Sequence, residues 1–484
     1  MNGKILRITA SVLVLAVGLT GWPASLSAGE PAQTDPRQMR FQPVRFTPPE
    51  PERVVLGNGM VVYLLEDHEL PLITMTATIR TGGWLDPPDK IGLAGLVGAT
   101  MRSGGTTRMS AREVDEELEQ ISARIAVGIG PEAGAASLDV LKKDFDRGLE
   151  ILADIVTAPA FEQSRVDLAK LQAIEGIRRR QDQPQSIAGR EFSKLVYGPT
   201  HPLARQSTVE SISRITRDDL LAFHAQFIHP NGIMVGVTGD FEKGSMLTAL
   251  RRRFGGWPPG NVPVMSLAMA EEDGAANRIV RFIGKGTVQT HLRAGHRSVR
   301  EDDPDYPALS LLNDILGGGA FRSRLFQEIR TRQGLAYSVG SMLRPGTREP
   351  GVWLMRAETQ FSSTQEVIDR LVANLERLRT EPVSDAELEE AKEAFINSFV
   401  FSFASASAIV SRLIALEYDG LPKDFLQQRY DKVVKLTKED LLRVARMHLH
   451  PDRLRILAVG PGEALPKVLS GFGEVQEIKL KPDG

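Results

Sequence analysis

Residues 215–239 read ITRDDLLAFHAQFIHPNGIMVGVTG and residues 436–460 read LTKEDLLRVARMHLHPDRLRILAVG, and the two stretches align without a gap. Thr216/Thr437, Asp219/Asp440, Leu220/Leu441, Leu221/Leu442, His229/His450, Pro230/Pro451 and Gly239/Gly460 are identical. Each copy reads as a helix, a turn and a buried strand. The Thr stands where an N-cap belongs, the acids after it complement the positive end of the helix, and the His-Pro pair marks the exit. A second, weaker match pairs the helix before Pro159 with the one before Pro382. Two matches at nearly one offset make the chain a duplication, and a repeat organises everything else.

Outward from the first copy, Val54–Leu56 and Met60–Leu65 flank Gly57-Asn58-Gly59, a hairpin signal, and Leu72–Arg80 reads as a third strand. Helices are expected from Gly92 and from Ser110, then strands near Ala123–Ile129 and Ala135–Leu141, then helices over Lys142–Val156 and Glu162–Arg180. The second half repeats the plan through Thr287–Ala294, Tyr306–Leu316 and Ser323–Arg332. Gly255-Gly256-Trp257-Pro258-Pro259-Gly260 and the acidic, Ala-rich stretch after it favour neither helix nor strand. The chain thus divides into a half at 53–254, a linker at 255–277 and a half at 278–484. The fold class is α+β: two homologous halves, each an antiparallel-rich sheet covered by helices on one face.

Composition narrows the function. The 484 residues carry 59 Lys+Arg against 61 Asp+Glu, a formal charge of −2 with no basic excess for a phosphate backbone, so nucleic acid is not an expected partner. Cysteine is absent, which removes disulfides, thiolate nucleophiles and Cys-ligated metals. Lys4 and Arg7 precede an apolar run from Ile8 to Leu19, followed by small residues up to Ala28, the pattern of an export signal. Residues 1–28 are expected to be cleaved near Ser27 or Ala28, with an uncleaved anchor as the alternative. Residues 29–52 form a tether. The expected location is a bacterial periplasm, and no membrane association is indicated once the signal is removed.

Gly92-Leu93-Ala94 before a helix ending in Gly104-Gly105-Thr106, the run LGGGAFRSRLFQEIRTRQGLAYSV at 316–339, and the duplicated halves together resemble the pitrilysin/insulinase metallopeptidases, especially the subfamily of mitochondrial processing peptidase. The resemblance covers roughly residues 50–480 and implies two halves closing like a clam on a cleft. Family members carry H-x-x-E-H on the helix after that Gly-Leu-Ala. Positions i and i+4 share a helix face, so two imidazoles meet one zinc and the Glu activates its water. Here the motif positions are Gly95, Gly98 and Ala99, and the family's distant third ligand falls on Gly176. None offers a ligand atom on a side chain. Glu175 is adjacent, but one residue along a helix turns a side chain by about 100°. The eight His residues contain no i, i+4 pair, so no metal is expected in this chain.

Gly92, Gly95 and Gly98 recur every three residues, each weakening a helix by up to ~1 kcal/mol relative to Ala. Close packing of the helix on its sheet explains this, and so does a smoothed wall that lets a peptide approach. The second half keeps Arg330 and Tyr337 seven residues apart. Taken alone, an Arg there complements a helix end. The resemblance implies instead that the pair holds the substrate carbonyl and the oxyanion, and that Gly317-Gly318-Gly319 is like the glycine-rich loop of noncatalytic family subunits; a flexible turn is the plainer account.

The expected function is a noncatalytic, substrate-binding subunit of a heterodimeric zinc endopeptidase acting on peptides or unfolded polypeptides. Its partner is a homologous subunit with an intact zinc motif, and the zinc belongs to that partner. The alternative is a nonenzymatic peptide-binding or scaffold protein. A peptidase with an unorthodox metal site conflicts with the His census.

Overall fold

The hairpin signal joins β1 (Glu52–Val55) to β2 (Val61–Glu66), paired antiparallel from Glu52↔Leu64 to Val55↔Val61. The structure is a computed structural model that describes residues 49–264 and 277–480. The expected signal at 1–28, most of the 29–52 tether and residues 265–276 of the expected linker lie outside the described residues.

With β3 (Leu72–Ile79), β4 (Arg124–Ile129), β5 (Gly134–Leu141) and β6 (Ile233–Gly239), the hairpin forms a six-stranded sheet in the order β1-β2-β6-β3-β5-β4. Only β2 and β6 run parallel. The second sheet contains β7 (Ile279–Gly284), β8 (Gln289–Arg297), β9 (Ala336–Arg344), β10 (Val352–Gln360), β11 (Arg455–Gly460) and β12 (Val475–Glu477), in the order β12-β7-β11-β8-β10-β9. Five strands of each sheet follow one plan, β2-β6-β3-β5-β4 against β7-β11-β8-β10-β9. The sixth differs: β1 enters antiparallel, whereas β12 lies parallel to β7.

The first half contributes α1 (Leu93–Ser103), α2 (Ala111–Gln120), α3 (Phe145–Thr157), α4 (Gln163–Arg179), α5 (Pro184–Tyr197), α6 (Val209–Arg214), α7 (Arg217–Phe227) and α8 (Lys243–Phe254). The second contributes α9 (Tyr306–Asn313), α10 (Thr364–Thr380), α11 (Asp385–Phe401), α12 (Ala406–Asp419), α13 (Phe425–Lys435), α14 (Lys438–His448) and α15 (Leu465–Leu469). The repeated stretch is α7–β6 and α14–β11. Both helices start in a capping box, Thr216 with Asp219 and Thr437 with Asp440, so two otherwise orphaned N–H groups are satisfied the same way twice. Among the described residues no single helix is long and apolar enough to cross a membrane.

Each sheet packs one face on helices of its own half, forming two separate cores. The opposite faces are covered by exchange. α12, from the second half, lies on β2, β3 and β6, where Ile409, Val410 and Ile414 meet Val61, Tyr63, Leu65 and Met234. α5, from the first half, lies on β8 and β11, where Ile187, Ala188, Phe192 and Val196 meet Ile283, Leu457 and Val459. This explains why β6 and β11 are buried along almost their whole length.

Candidate functional site

α1 carries the positions that correspond to the family's zinc motif, Gly95, Gly98 and Ala99. Its N-cap Gly92 has φ 107°, a left-handed backbone that glycine adopts without strain. The Asp86 carboxylate accepts N–H bonds from Gly92 at 2.7 Å and Ala94 at 2.8 Å, satisfying the helix start. Burial raises the pKa of Asp86, and these two bonds oppose the rise. Gly95 and Ala99 share the exposed face one turn apart, while Gly98 is buried. A Cβ at Gly95 would meet nothing within 4 Å. At Gly98 it would stand 2.3 Å from the Ile129 nitrogen and 2.8 Å from the Gly128 carbonyl carbon, so the backbone of β4 fills the space where a Glu would leave the helix. Gly176, on α4, is exposed with open space around it. Glu175 pairs with Arg178 at 2.9 Å. These residues do not fit a zinc ion.

The histidines are engaged elsewhere. His224 bonds the Val156 carbonyl at 2.8 Å, His229 the Gln226 carbonyl at 3.1 Å and His296 the Arg297 carbonyl at 2.7 Å. His68 pairs with Asp240 at 2.7 Å, and Nε2 of His201 stands 3.1 Å from the Glu349 carboxylate. His291 and Glu358 stand 3.8 Å apart. Asp303, Asp305 and His448 bring donor atoms within 4.8 Å of one another. Asp305, however, is already held by Arg443 at 2.9 Å and by His448 at 2.9 Å, and these bonds lower its pKa.

Arg330 and Tyr337 come together. Arg330 sits in a π-helical passage, Phe326–Arg332, and its guanidinium carbon lies 4.7 Å from the Phe326 ring centre and 5.4 Å from that of Tyr337. Tyr337, 75% exposed, is the extra residue of a β-bulge, because β9 pairs with β10 through Ser338↔Glu358 and then Ala336↔Thr359. A bulge re-aims one side chain out of the alternation. The passage is anchored on both sides. Arg324 makes a two-pronged pair with Glu387 at 2.6 and 2.9 Å, and Glu328 accepts from Asn374 at 3.0 Å. Burial would raise the Glu387 carboxyl, but Arg324 and the N-cap Ser384 hold it down at about 2.

The glycine run differs from the expected loop. Asp314–Gly318 is a π-helical turn continuing α9, and Gly317 is buried there; a Cβ on it would stand 2.3 Å from the Ser341 nitrogen. Gly317 therefore packs α9 against β9 as Gly98 packs α1 against β4, and it offers no surface to a substrate. Gly318 is exposed and Gly319 half-buried. Sequence reasoning passed over Phe326 and Phe321. Phe321 is 69% exposed and meets Phe326 edge-on at 4.8 Å. The available signal was Phe326 four residues before Arg330, on the same helix face.

The comparisons agree with this geometry. Residues 61–201 match the model of the insulinase family, peptidase family M16, and residues 214–395 match that of the peptidase M16 inactive domain. A Bacillus subtilis protein named as an uncharacterized zinc protease, YmxG, is 24% identical over 363 residues, covering 75% of this chain and 86% of the relative. A Helicobacter pylori protein named as a non-peptidase homolog, YmxG, is 24% identical over 403 residues, covering 81% and 90%. The crystal structure of a peptidase M16 inactive domain from Pseudomonas fluorescens matches with a TM-score of 0.77 at 26% identity, covering 85% of this chain and 98% of that one. The matched segments run from β2 to β10 and take in the pair at Arg330 and Tyr337, and the chain belongs to the insulinase family, peptidase family M16.

Proposed function

We propose that this chain is the noncatalytic, substrate-binding subunit of a heterodimeric zinc endopeptidase of the processing-peptidase type, acting on peptides or unfolded polypeptides in the periplasm. One juxtaposition supports the reading. Arg330 and Tyr337 stand exposed and stacked on each other, while the motif helix of the same chain has lost every donor. Among the described residues no carboxylate pairs with Arg330, whose guanidinium lies over two aromatic rings, so its N–H groups suit the carbonyl oxygens of a bound peptide. A donor aimed at a developing oxyanion supplies ~3 kcal/mol. The zinc and its water are assigned to the homologous partner.

The test mixes this chain with a zinc-motif homologue from the same cell. A 1:1 complex on gel filtration with raised peptidase activity is expected, and this chain alone should cleave nothing. Arg330→Ala or Tyr337→Phe in this chain should lower kcat and kcat/KM together by about 10²-fold, with zinc content and assembly unchanged. Wild-type kinetics in both variants would overturn the reading in favour of a nonenzymatic scaffold.

A further inference from the structure

Where α5 crosses the second sheet it leaves a cavity of about 220 Å³ against β8, β9 and β10. Phe192, Val196 and Leu354 give it apolar walls, and Arg293, Arg344 and Arg356 bring three guanidinium groups to it. Arg293 is only 6% exposed, and it stands directly opposite Arg356 in the β8–β10 register. Like charges in that relation repel. Among the described residues none of the three has a carboxylate within ion-pair distance. Arg293 donates to the Leu292 carbonyl at 2.9 Å, and Nε of Arg344 rests 3.0 Å from the Met342 sulfur. The neighbouring acid, Glu358, is shared with His291. Burial, and then the charge on Arg356, push the Arg293 pKa down, yet an arginine side chain stays protonated. Next door the same sheet answers its cations: Arg297 reaches Glu349 at 3.3 Å. A buried guanidinium facing a second cation, with a third lining the same cavity, is therefore an unbalanced feature that an anion would relieve.

We infer that this cavity binds a carboxylate carried on an apolar group of side-chain size, supplied either by the C-terminal residue of a polypeptide or by a free organic acid. The planar fork of arginine matches the two oxygens of a carboxylate, and Phe192, Val196 and Leu354 take the apolar remainder. The size points the same way. Pockets for drug-sized ligands run to about 300–1,000 Å³, so this one holds a single residue's worth of ligand. The site stands independently of the subunit reading, because it needs neither the partner nor Arg330 and Tyr337.

The test is calorimetric titration of the full chain with three probes: N-acetyl-leucine, N-acetyl-leucinamide, and a hexapeptide ending in leucine with a free carboxylate. N-acetyl-leucine should bind, and the amide about tenfold or more weakly. Arg356→Gln should weaken N-acetyl-leucine by about tenfold to a hundredfold while raising the unfolding midpoint of the ligand-free chain, since one of two facing cations is gone. Arg344→Gln, at an exposed position, should weaken binding in the same direction and serves if the first variant fails to fold. Binding of the hexapeptide alongside N-acetyl-leucine assigns the site to polypeptide termini, and its exclusion assigns it to free acids. Equal binding of acid and amide, no binding of the acid, or wild-type affinity in a folded variant overturns the proposal. With no zinc-bearing partner present, such a failure leaves the subunit reading untouched.

Discussion

The three glycines of the motif helix look alike in the sequence and do three different jobs. Gly92 takes a left-handed turn, and Gly98 lets the helix touch β4. Gly95 has neither excuse: its φ is helical and the space above it is open. Packing on β4 accounts for Gly98, whereas Gly95 lies beside Ala99 on an open face of the helix that packing does not explain. Two substitutions separate them. Gly95→Ala should stabilise the chain by up to about 1 kcal/mol, the ordinary helix preference. Gly98→Ala should destabilise it by about 3 kcal/mol or more, because its Cβ would strike backbone that no rotamer can move aside. Urea titrations of the two variants decide it, and equal effects would show that α1 and β4 are not in contact as described. By the same geometry, restoring the family motif at positions 95, 98 and 99 should not restore hydrolysis, since a Glu at 98, the residue that would activate the water, has no room to leave the helix.

At the scale of elements, the sequence announced most strands and helices through alternation, caps and turn residues, and it announced the pairing of Arg330 with Tyr337 only through the spacing that the family resemblance implies. What brings that pair together lies in two irregularities, the π-helical passage before Arg330 and the bulge at Tyr337. Both are one-residue excesses in an otherwise regular element, and residue periodicity does not register them. The His-Pro exits were legible as structural, but not the partner of one of them. At the end of α14 the backbone N–H of His450 donates to Nε2 of His296 on β8 at 3.2 Å, while Nδ1–H of His296 donates to the Arg297 carbonyl at 2.7 Å. That arrangement requires a neutral ring. Burial is the main cause lowering the His296 pKa from 6.5 to about 4, opposed by the bond to the Arg297 carbonyl and by Asp452 and reinforced by His450 and Arg455. The folded chain thus refuses a proton that the unfolded chain accepts. Stability from this ring is complete above about pH 6.5 and is lost as the pH falls toward about 4, by on the order of 3 kcal/mol. Urea midpoints followed from pH 7 to pH 4.5 should fall more steeply for the native chain than for His296→Gln. His201 and His224, whose pKa values burial also lowers, contribute slope to both chains, so the difference between them is the quantity to read. Identical slopes would acquit His296.

At the scale of the whole molecule, the duplication was plain in the sequence, whereas the crossing of one helix from each half onto the other half's sheet was not. An apolar stripe on α5 or α12 states that a face is buried and says nothing of which sheet buries it. The burial of β6 and β11 gives the clue in retrospect, because a strand covered on both faces needs a second layer. Gly236 in β6 records the close fit: a Cβ there would lie 2.4 Å from Val410 of α12. Arg53 and Tyr63 add polar ties by bonding Glu417 on the same helix. Each large apolar side chain fully buried contributes about 1.5–3 kcal/mol, so the seven side chains of the α12 contact alone are worth on the order of 10 kcal/mol, comparable to the net stability of an entire domain. Neither half should therefore stand without the other, despite each having its own sheet and core. Residues 49–264 expressed alone lack α12 and leave Val61, Tyr63, Leu65 and Met234 open to water; residues 277–480 alone lack α5. Each fragment should aggregate or remain unfolded by circular dichroism. Expressed together, the two should assemble into a 1:1 complex that unfolds in a single transition, because each sheet is completed only by a helix of the other fragment. Should either fragment prove monomeric and cooperatively folded alone, the exchanged helices would be surface additions and not part of the core.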